Sequence, residues 1–338
     1  MPTDTLSAVL QAIHLTGAVF FDVTVRAPWV LEAPPSNVCA PHVMPGARHV
    51  IEYHVVIAGR CWAGLPDQPP IRLEAGDILI FPQGDGHVFS SEPGPQRSEP
   101  MLELYQQPEG TQLPVPIRAG SSDGDGEEAR IVCGFLGFEE LLHHPLLRAL
   151  PRVLHAPASA RAPGDWLDGF ILQVVAECEN RRPGSQSILA RMSELMFVEI
   201  VRQYVAALPL SAHGWLAGLR DKAVGRALNL MHDQPAGCWT LDRLAEEVGV
   251  SRSSLAERFS CYVGAPPMQY LANWRMQLAT GLLSNGSATI AEIAEKVGYD
   301  SEAAFSRAFK RNMGSAPAMW RKNQAPHRRR AEIGRAHV

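Results

Sequence analysis

The apolar positions of this 338-residue chain change their period twice. Over residues 4–15, Leu6, Val9, Leu10 and Ile13 share one helical face, with Asp4 placed to cap it. From Ala18 to about Cys133 the spacing shortens. β-branched and aromatic runs separated by Gly and Pro predict strands over 18–25, 49–57, 71–73, 78–81, 87–90, 101–105 and 129–133. That texture is all-β, a sandwich or barrel. Residues 108–128 read as a polar loop around Ser121-Ser122-Asp123-Gly124-Asp125-Gly126. From Phe138 the helical period returns. Leu141, Leu142, Leu146 and Leu150 lead to a break at Pro151; residues 166–178 and 188–208 then read as helices. Those two either form a hairpin within the chain or meet a second subunit, which makes a homodimer an expectation.

The last third carries one pattern twice. Leu244-Ala245-Glu246-Glu247-Val248-Gly249 is followed by Ser251, Leu255, Arg258-Phe259, Gly264, Pro267 and Tyr270. Ile293-Ala294-Glu295-Lys296-Val297-Gly298 is followed by Ser301, Phe305, Arg307, Phe309, Gly314, Pro317 and Trp320. Each copy reads as a short helix, a turn at Gly and a second helix opened by a small polar residue. That is the helix-turn-helix pattern. Between the copies, residues 267–284 read as one rigid helix with Met268, Leu271, Trp274, Leu278 and Leu282 on its buried side. In each second helix the apolar pair faces inward and leaves a polar face for base edges. Arg252, Ser253, Glu257, Glu302, Ser306 and Arg307 are the expected base-facing residues, with Ser251, Ser254 and Ser301 at the helix starts. Arg258, Arg275, Lys310, Arg311 and Arg321 are expected to hold phosphates or to serve the fold.

Charge sharpens this division. From Arg220 onward there are 17 Lys and Arg against 11 Asp and Glu, a surplus of six; the remaining 14 against 24 leave a deficit of ten. The net −4 thus averages a basic unit that suits nucleic acid and an acidic unit that suits control. No apolar run approaches the ~18 residues of a membrane span, and Met1–Leu15 has no Lys or Arg to open a secretion signal. Six scattered cysteines without a CxxC pair fit a reducing, cytoplasmic setting. No catalytic constellation is read, and no enzyme is expected.

Residues 223–321 resemble the AraC/XylS transcription regulators. The resemblance rests on Pro267, Tyr270-Leu271, Trp274-Arg275-Met276, Ile293-Ala294, Val297-Gly298-Tyr299, Phe309-Lys310, Gly314 and Pro317. It implies two helix-turn-helix subdomains on promoter DNA, with activators the commoner kind and RNA polymerase a further partner. Trp320 departs from the Tyr more usual in that family. Upstream, Gly76-Asp77, Pro82, Gly84 and His87 match the spacing of the second cupin motif. The first is degraded, with Gly46 in place, Glu52 at the first histidine position and His54 at the second. The segment therefore resembles the cupin barrels that precede many such DNA-binding domains, where the barrel senses a small molecule or mediates dimerisation. His54, His87, Glu52 and, from a late strand, Cys133 are the candidate ligands for Zn or Fe; the alternative is buried histidines bonded to backbone or orienting a ligand. Trp29, Trp62 and Phe89 are candidates for a pocket wall or for the core.

The sequence thus predicts an α+β multidomain protein. Residues 1–137 form a cupin-like sensor, 138–214 a helical connector and dimerisation region, and 215–323 an all-α DNA-binding domain; 324–338 are a basic tail. The function read is a regulator of double-stranded DNA, responsive to a small-molecule effector and reading two adjacent major grooves. A cupin metalloenzyme fused to a DNA-binding module, and a constitutive DNA binder with a vestigial barrel, are the competing readings.

Overall fold

The computed structural model describes residues 4–13, 15–45, 47, 49–94, 98–100, 102–107, 111–121, 126–138, 145–162, 164–180, 182–209, 211–285 and 288–322. Gly46, Met101, Leu141, Leu142, His143, His144, loop residues 122–125 and the tail 324–338 lie outside them. In chain order the first elements are α1 (Thr5–Ile13), β1 (Thr16–Arg26), β2 (Val30–Ala33), α2 (Ser36–Val43), β3 (His49–Ala58), β4 (Arg60–Gly64) and β5 (Ile71–Glu74). Then come β6 (Ile78–Phe81), β7 (His87–Ser90), β8 (Val115–Gly120), β9 (Glu128–Phe138), α3 (Pro145–Ala149) and β10 (Leu154–Ala156). Helices complete the chain: α4 (Trp166–Asn180), α5 (Ser185–Ala207), α6 (Trp215–Gly218), α7 (Lys222–Asp233), α8 (Leu241–Val248), α9 (Arg252–Val263), α10 (Pro267–Asn285), α11 (Ile290–Lys296) and α12 (Glu302–Met313). No helix among the described residues is long and apolar enough to cross a membrane.

The chain divides into two compact units. Leu15–Glu140 and Leu150–Ala206 make the sheet unit; Met1–His14, Leu141–Ala149 and Ala207–Val338 make the helical one. The region expected as a connector is therefore shared out: α4 and α5 belong with the sheets, α3 with the helices.

In the sheet unit, six strands run in the order β10-β6-β3-β9-β1-β8 and four in the order β2-β7-β4-β5. Position in the sheet explains composition. The strand β6, between β10 and β3, is Ile-Leu-Ile-Phe and wholly buried. At the edge, β8 alternates half-buried and exposed residues and pairs in parallel with β1. The Gly76-Asp77 turn is locked by the Asp77 carboxylate, which accepts from Ala158 N–H (2.8 Å), Glu74 N–H and His155. The helix α5 covers the six-stranded sheet. It buries Leu189, Met196, Phe197 and Val201, and its Ser193 hydroxyl meets the Tyr53 hydroxyl of β3 at 2.5 Å.

Several expectations are corrected. Residues 101–105, read as a strand, form a 3-10 turn over Leu102–Tyr105, because Tyr105 turns inward against Phe21 while Leu102 stays exposed. The loop over 108–128 contains β8, whose weak alternation hid it. The strand β10 interrupts the helical stretch after Pro151; three residues are too few to set a period. The strands β2 and β4 and the helix α2, which contains Pro41, had no clear sequence signal.

In the helical unit, α7 begins on Asp221, whose carboxylate accepts from Ala223 and Val224 N–H at 3.0 Å. α1 docks on α7 through Thr5 and Asn229. The turns at Gly249 and Gly298 have nearly the same backbone, φ 72° and 78°, but unlike surroundings. A Cβ at Gly249 would meet nothing within 4 Å. At Gly298 it would lie 2.7 Å from Ala236 Cα and 2.9 Å from the Arg275 guanidinium. Gly249→Ala is therefore expected to cost only the left-handed strain, about 1–2 kcal/mol. Gly298→Ala should cost clearly more, because backbone must move. Urea titrations of both variants measure the difference, and equal losses would contradict this account.

Candidate nucleic-acid interface and ligand pocket

The second helices of the two helix-turn-helix motifs are α9 and α12. α9 begins on Ser251, whose hydroxyl accepts from Ser254 N–H at 3.2 Å; α12 begins on Ser301, which accepts from Ala304 N–H at 3.2 Å. Each ends on a left-handed glycine, Gly264 or Gly314. The supports α8 and α11 start on Thr240 and Thr289, the latter in a full capping box with Glu292. Leu244 and Ala245, and Ile293 and Ala294, are their buried contacts. Leu255 and Phe259 are fully buried in the first copy, Phe305 and Phe309 in the second. The ring of Tyr270 meets Phe259 edge-on at 5.6 Å, and Trp320 meets Phe309 in the same way at 5.9 Å. The departure at Trp320 thus fills the equivalent place.

With those anchors inward, Ser251, Arg252, Ser253, Glu257, Ser301, Glu302, Arg307, Lys310 and Arg311 are exposed, and Ser254 and Ser306 half-buried. Arg252 has one weak partner, Asp242 at 3.5 Å, with both side chains mostly in solvent. Three other arginines are spent on the protein itself. Arg258 donates to the capping Asp221 at 2.6 Å. Arg275 donates to three carbonyls, Pro235 (2.7 Å), Gly237 (2.8 Å) and Gly298 (3.1 Å). Arg321 donates to Ala288 O at 2.6 Å.

The sheet unit holds a cavity of about 80 Å³ between its two sheets. On β9, alternate residues Ile131, Cys133 and Phe135 line it, joined by Phe21 and Val23 of β1 and Ile117 of β8. Leu31 and Ala33 of β2, Phe89 of β7, and Leu104 and Tyr105 close the other side. The wall is therefore almost wholly apolar. These positions were not foreseen apart from Phe89 and Cys133; the two-residue period of β1 and β9 was the available signal. Trp29 lies in the core, and neither it nor Trp62 lines the cavity.

One polar cluster reaches the floor, which Glu52 and His54 line while His87 is held against His54. Glu52, His54 and His87 bring ligand atoms within 4.8 Å of one another. Cys133 sits opposite His54 across the β3–β9 ladder and shares the cavity, but falls outside that compact group. His87 Nδ1 faces Asp85 O at 2.9 Å, and its Nε2 meets His54 Nε2 at 2.7 Å. Cys39 Sγ donates to Glu52 at 3.4 Å. Burial pushes the Glu52 carboxyl up to about 8, against the Cys39 bond, and pushes His87 down to about 4. Burial, with His87 beside it, holds His54 well below the usual range. All three are neutral at pH 7, so the 3.8 Å approach of His87 to Glu52 is not an ion pair. The donor set is one that zinc accepts. The hydrogen bonding fits it poorly. The two Nε2 atoms are engaged with each other, and His54 Nδ1 is buried without the outer partner that holds a metal-bound histidine.

Comparison with known proteins places both halves. A cupin family profile matches residues 4–206, more than half of the chain, and a helix-turn-helix domain profile matches residues 244–323. A Streptomyces lividans protein named as an AraC-like transcription regulator is 32% identical over 278 residues, covering 82% of this chain and 88% of its own length. The HTH-type transcriptional regulator AlkR of Acinetobacter baylyi is 28% identical over 319 residues, covering 94% of this chain and 99% of its own. The RCS-specific HTH-type transcriptional activator RclR of Escherichia coli is 25% identical, covering 94% and 97%. The chain belongs to the AraC-like transcription regulators, DNA-binding proteins rather than enzymes, with a cupin-type domain ahead of the helix-turn-helix region.

Proposed function

We propose that this regulator is an effector-responsive transcription activator that reads two adjacent major grooves through α9 and α12. What supports the reading is the pairing of two identically capped and anchored helices, polar on their outer faces, with an apolar cavity in the other unit. Arg252, Ser253, Glu257, Glu302, Ser306 and Arg307 face bases; Lys310, Arg311 and the helix starts at Ser251, Ser254 and Ser301 meet phosphates. Arg258, Arg275 and Arg321 serve by holding the subdomains in shape. Activation works through RNA polymerase at the promoter. For an effector to switch the protein, it must bind the DNA-competent and incompetent states unequally.

The cavity defines the effector's class. Its volume of about 80 Å³ is roughly half that of a cavity that takes benzene (~150 Å³), so it suits a molecule of about three or four heavy atoms. Eleven of the side chains around it are apolar, the floor is neutral, and the charged groups beside it, Glu32 and Glu99, are acidic. An anion would be repelled and left without a counter-charge. The effector is therefore small, uncharged and mainly apolar, with one polar group for His54 or Glu52. Glu52 and His54, the latter held by His87, act as that polar floor rather than as part of a zinc or iron centre.

Three measurements test this reading. A panel of neutral alcohols and ketones of about three to five heavy atoms should include members that raise the melting midpoint of the full chain and shift its affinity for genomic DNA fragments. The matching carboxylates should not. An equal response to the carboxylates, or none to any neutral compound, rejects the proposed class.

The second concerns Glu52. Its folded pKa lies above its ordinary value of 4.5, so the fold keeps a proton that the unfolded chain loses. Stability from this group is complete below about pH 4.5 and is lost as pH rises towards 8. Glu52→Gln is expected to equal the parent near pH 4.5 and to exceed it by roughly 2–4 kcal/mol at pH 8. Urea midpoints across that range decide it; a variant less stable at pH 8, or metal bound at one ion per chain, argues for a charged centre.

The third concerns assembly. Ile188 and Leu195 stand seven residues apart on α5, 44% and 57% exposed, and we assign this stripe to a homodimer contact. Sedimentation equilibrium should give two chains for the parent and one for Leu195→Glu. A monomeric parent would remove the dimer from the proposal.

A further inference from the structure

α9 and α12 correspond residue by residue at an interval of fifty, each with 12 residues between a serine cap and a left-handed glycine. Because Leu255 and Phe305, and Phe259 and Phe309, are equally buried, both helices are fixed in the same rotation about their axes. Their outward positions can therefore be compared one to one. At the first position, exposed Arg252 stands against exposed Glu302. Five residues on, exposed Glu257 stands against exposed Arg307. The charges are exchanged between the two copies. Between them Ser253 stands against Ala303, also on the outer face.

Helix electrostatics account for only half of this pattern. An acidic residue in the first turn is favourable, so Glu302 suits its place. Arg252 opposes the dipole in the same place, and its 3.5 Å contact with Asp242, in solvent, returns little. A side chain kept against local preference marks a functional demand. Arginine binds O6 and N7 of guanine in a bidentate manner, whereas a carboxylate accepts from N4 of cytosine and is repelled by guanine's acceptors.

We infer that the two helices read guanine and cytosine in opposite order. The first takes guanine at its amino-terminal end through Arg252 and cytosine further along through Glu257. The second takes cytosine through Glu302 and guanine through Arg307. This rests on the base-facing assignment proposed above. The operator is then two unlike blocks rather than a direct repeat, and the protein has one orientation on it. The phosphate grip is unequal too. Lys310 and Arg311 on α12 have Ser260 and Cys261 as their counterparts on α9, so the helix that begins with an acid holds the backbone from its other end.

Selection from a random DNA library with the full-length protein, at fixed salt, tests the inference. The parent should return two blocks with guanine and cytosine in reversed order. In Arg252→Glu/Glu257→Arg, whose net charge is unchanged, the first block should exchange its guanine and cytosine preferences while the second stays as it was. Glu302→Arg/Arg307→Glu should do the converse. Each exchanged base should be preferred by roughly tenfold to a hundredfold. Arg252→Ala and Arg307→Ala, which add no new contact, should relax one guanine position each. A double variant with a parental melting midpoint that leaves its block unchanged, or erases the preference without exchanging it, overturns the inference. A parent that returns no recurring block overturns the base-facing assignment beneath it, a separate result.

Discussion

The outward chemistry of both reading helices is fixed by what they bury. Leu255, Phe259, Phe305 and Phe309 are fully buried, and each contributes on the order of 1.5–3 kcal/mol by leaving water. One helical turn separates the members of each pair, so they define a line along the helix and remove its freedom to roll. Every exposed position is then set relative to that line. Small residues on the supporting helices, Ala245 and Ala294, let the second helix approach closely enough for the anchors to seat. The caps add direction: a serine hydroxyl at each start satisfies one amide and leaves neighbouring amides at the end assigned, on the proposed reading, to phosphate.

In the sheet unit burial has a different result. Glu52, His54 and His87 are surrounded by so little solvent that all three give up charge. A site that began as a set of ionisable groups becomes a neutral, hydrogen-bonding surface beneath aromatic walls. On the proposed reading, recognition there depends on shape and on one or two hydrogen bonds, while recognition by α9 and α12 depends on charge placed in water. The acidic balance of the first two-thirds of the chain and the basic balance of the last third reflect these two modes.

The helical half was the more legible in the sequence, for a physical reason. A helix repeats every 3.6 residues over a dozen positions, so Leu255 and Phe259 declare the inner face and Arg252, Ser253 and Glu257 the outer one. Strands of three to five residues give at most three inward positions; β6, uniformly apolar, could still be read, whereas β2, β4 and β10 mix apolar with charged or small residues and were missed. Parallel pairing of β1 with β8, across a gap of some ninety residues, leaves no local trace at all. The same limit applies to the cavity. His54, His87 and Glu52 were picked out by motif spacing, but the apolar wall comes from five strands whose meeting is a property of sheet order. Arg275 was visible as an arginine on a connecting helix; that its guanidinium would be spent on three carbonyls depended on turns far from it in sequence.

That guanidinium has a consequence for the DNA. Its carbonyl partners, Pro235, Gly237 and Gly298, lie just before the first supporting helix and at the turn inside the second helix-turn-helix. One planar cation on α10 thus bonds to backbone in both subdomains. Two readers held this way have a fixed angular phase as well as a fixed distance. A single base pair added between their target blocks turns the second block by about 34° around the duplex axis. On the proposed two-groove reading the clamp ties the second reader to the first, so the operator must keep time with the protein.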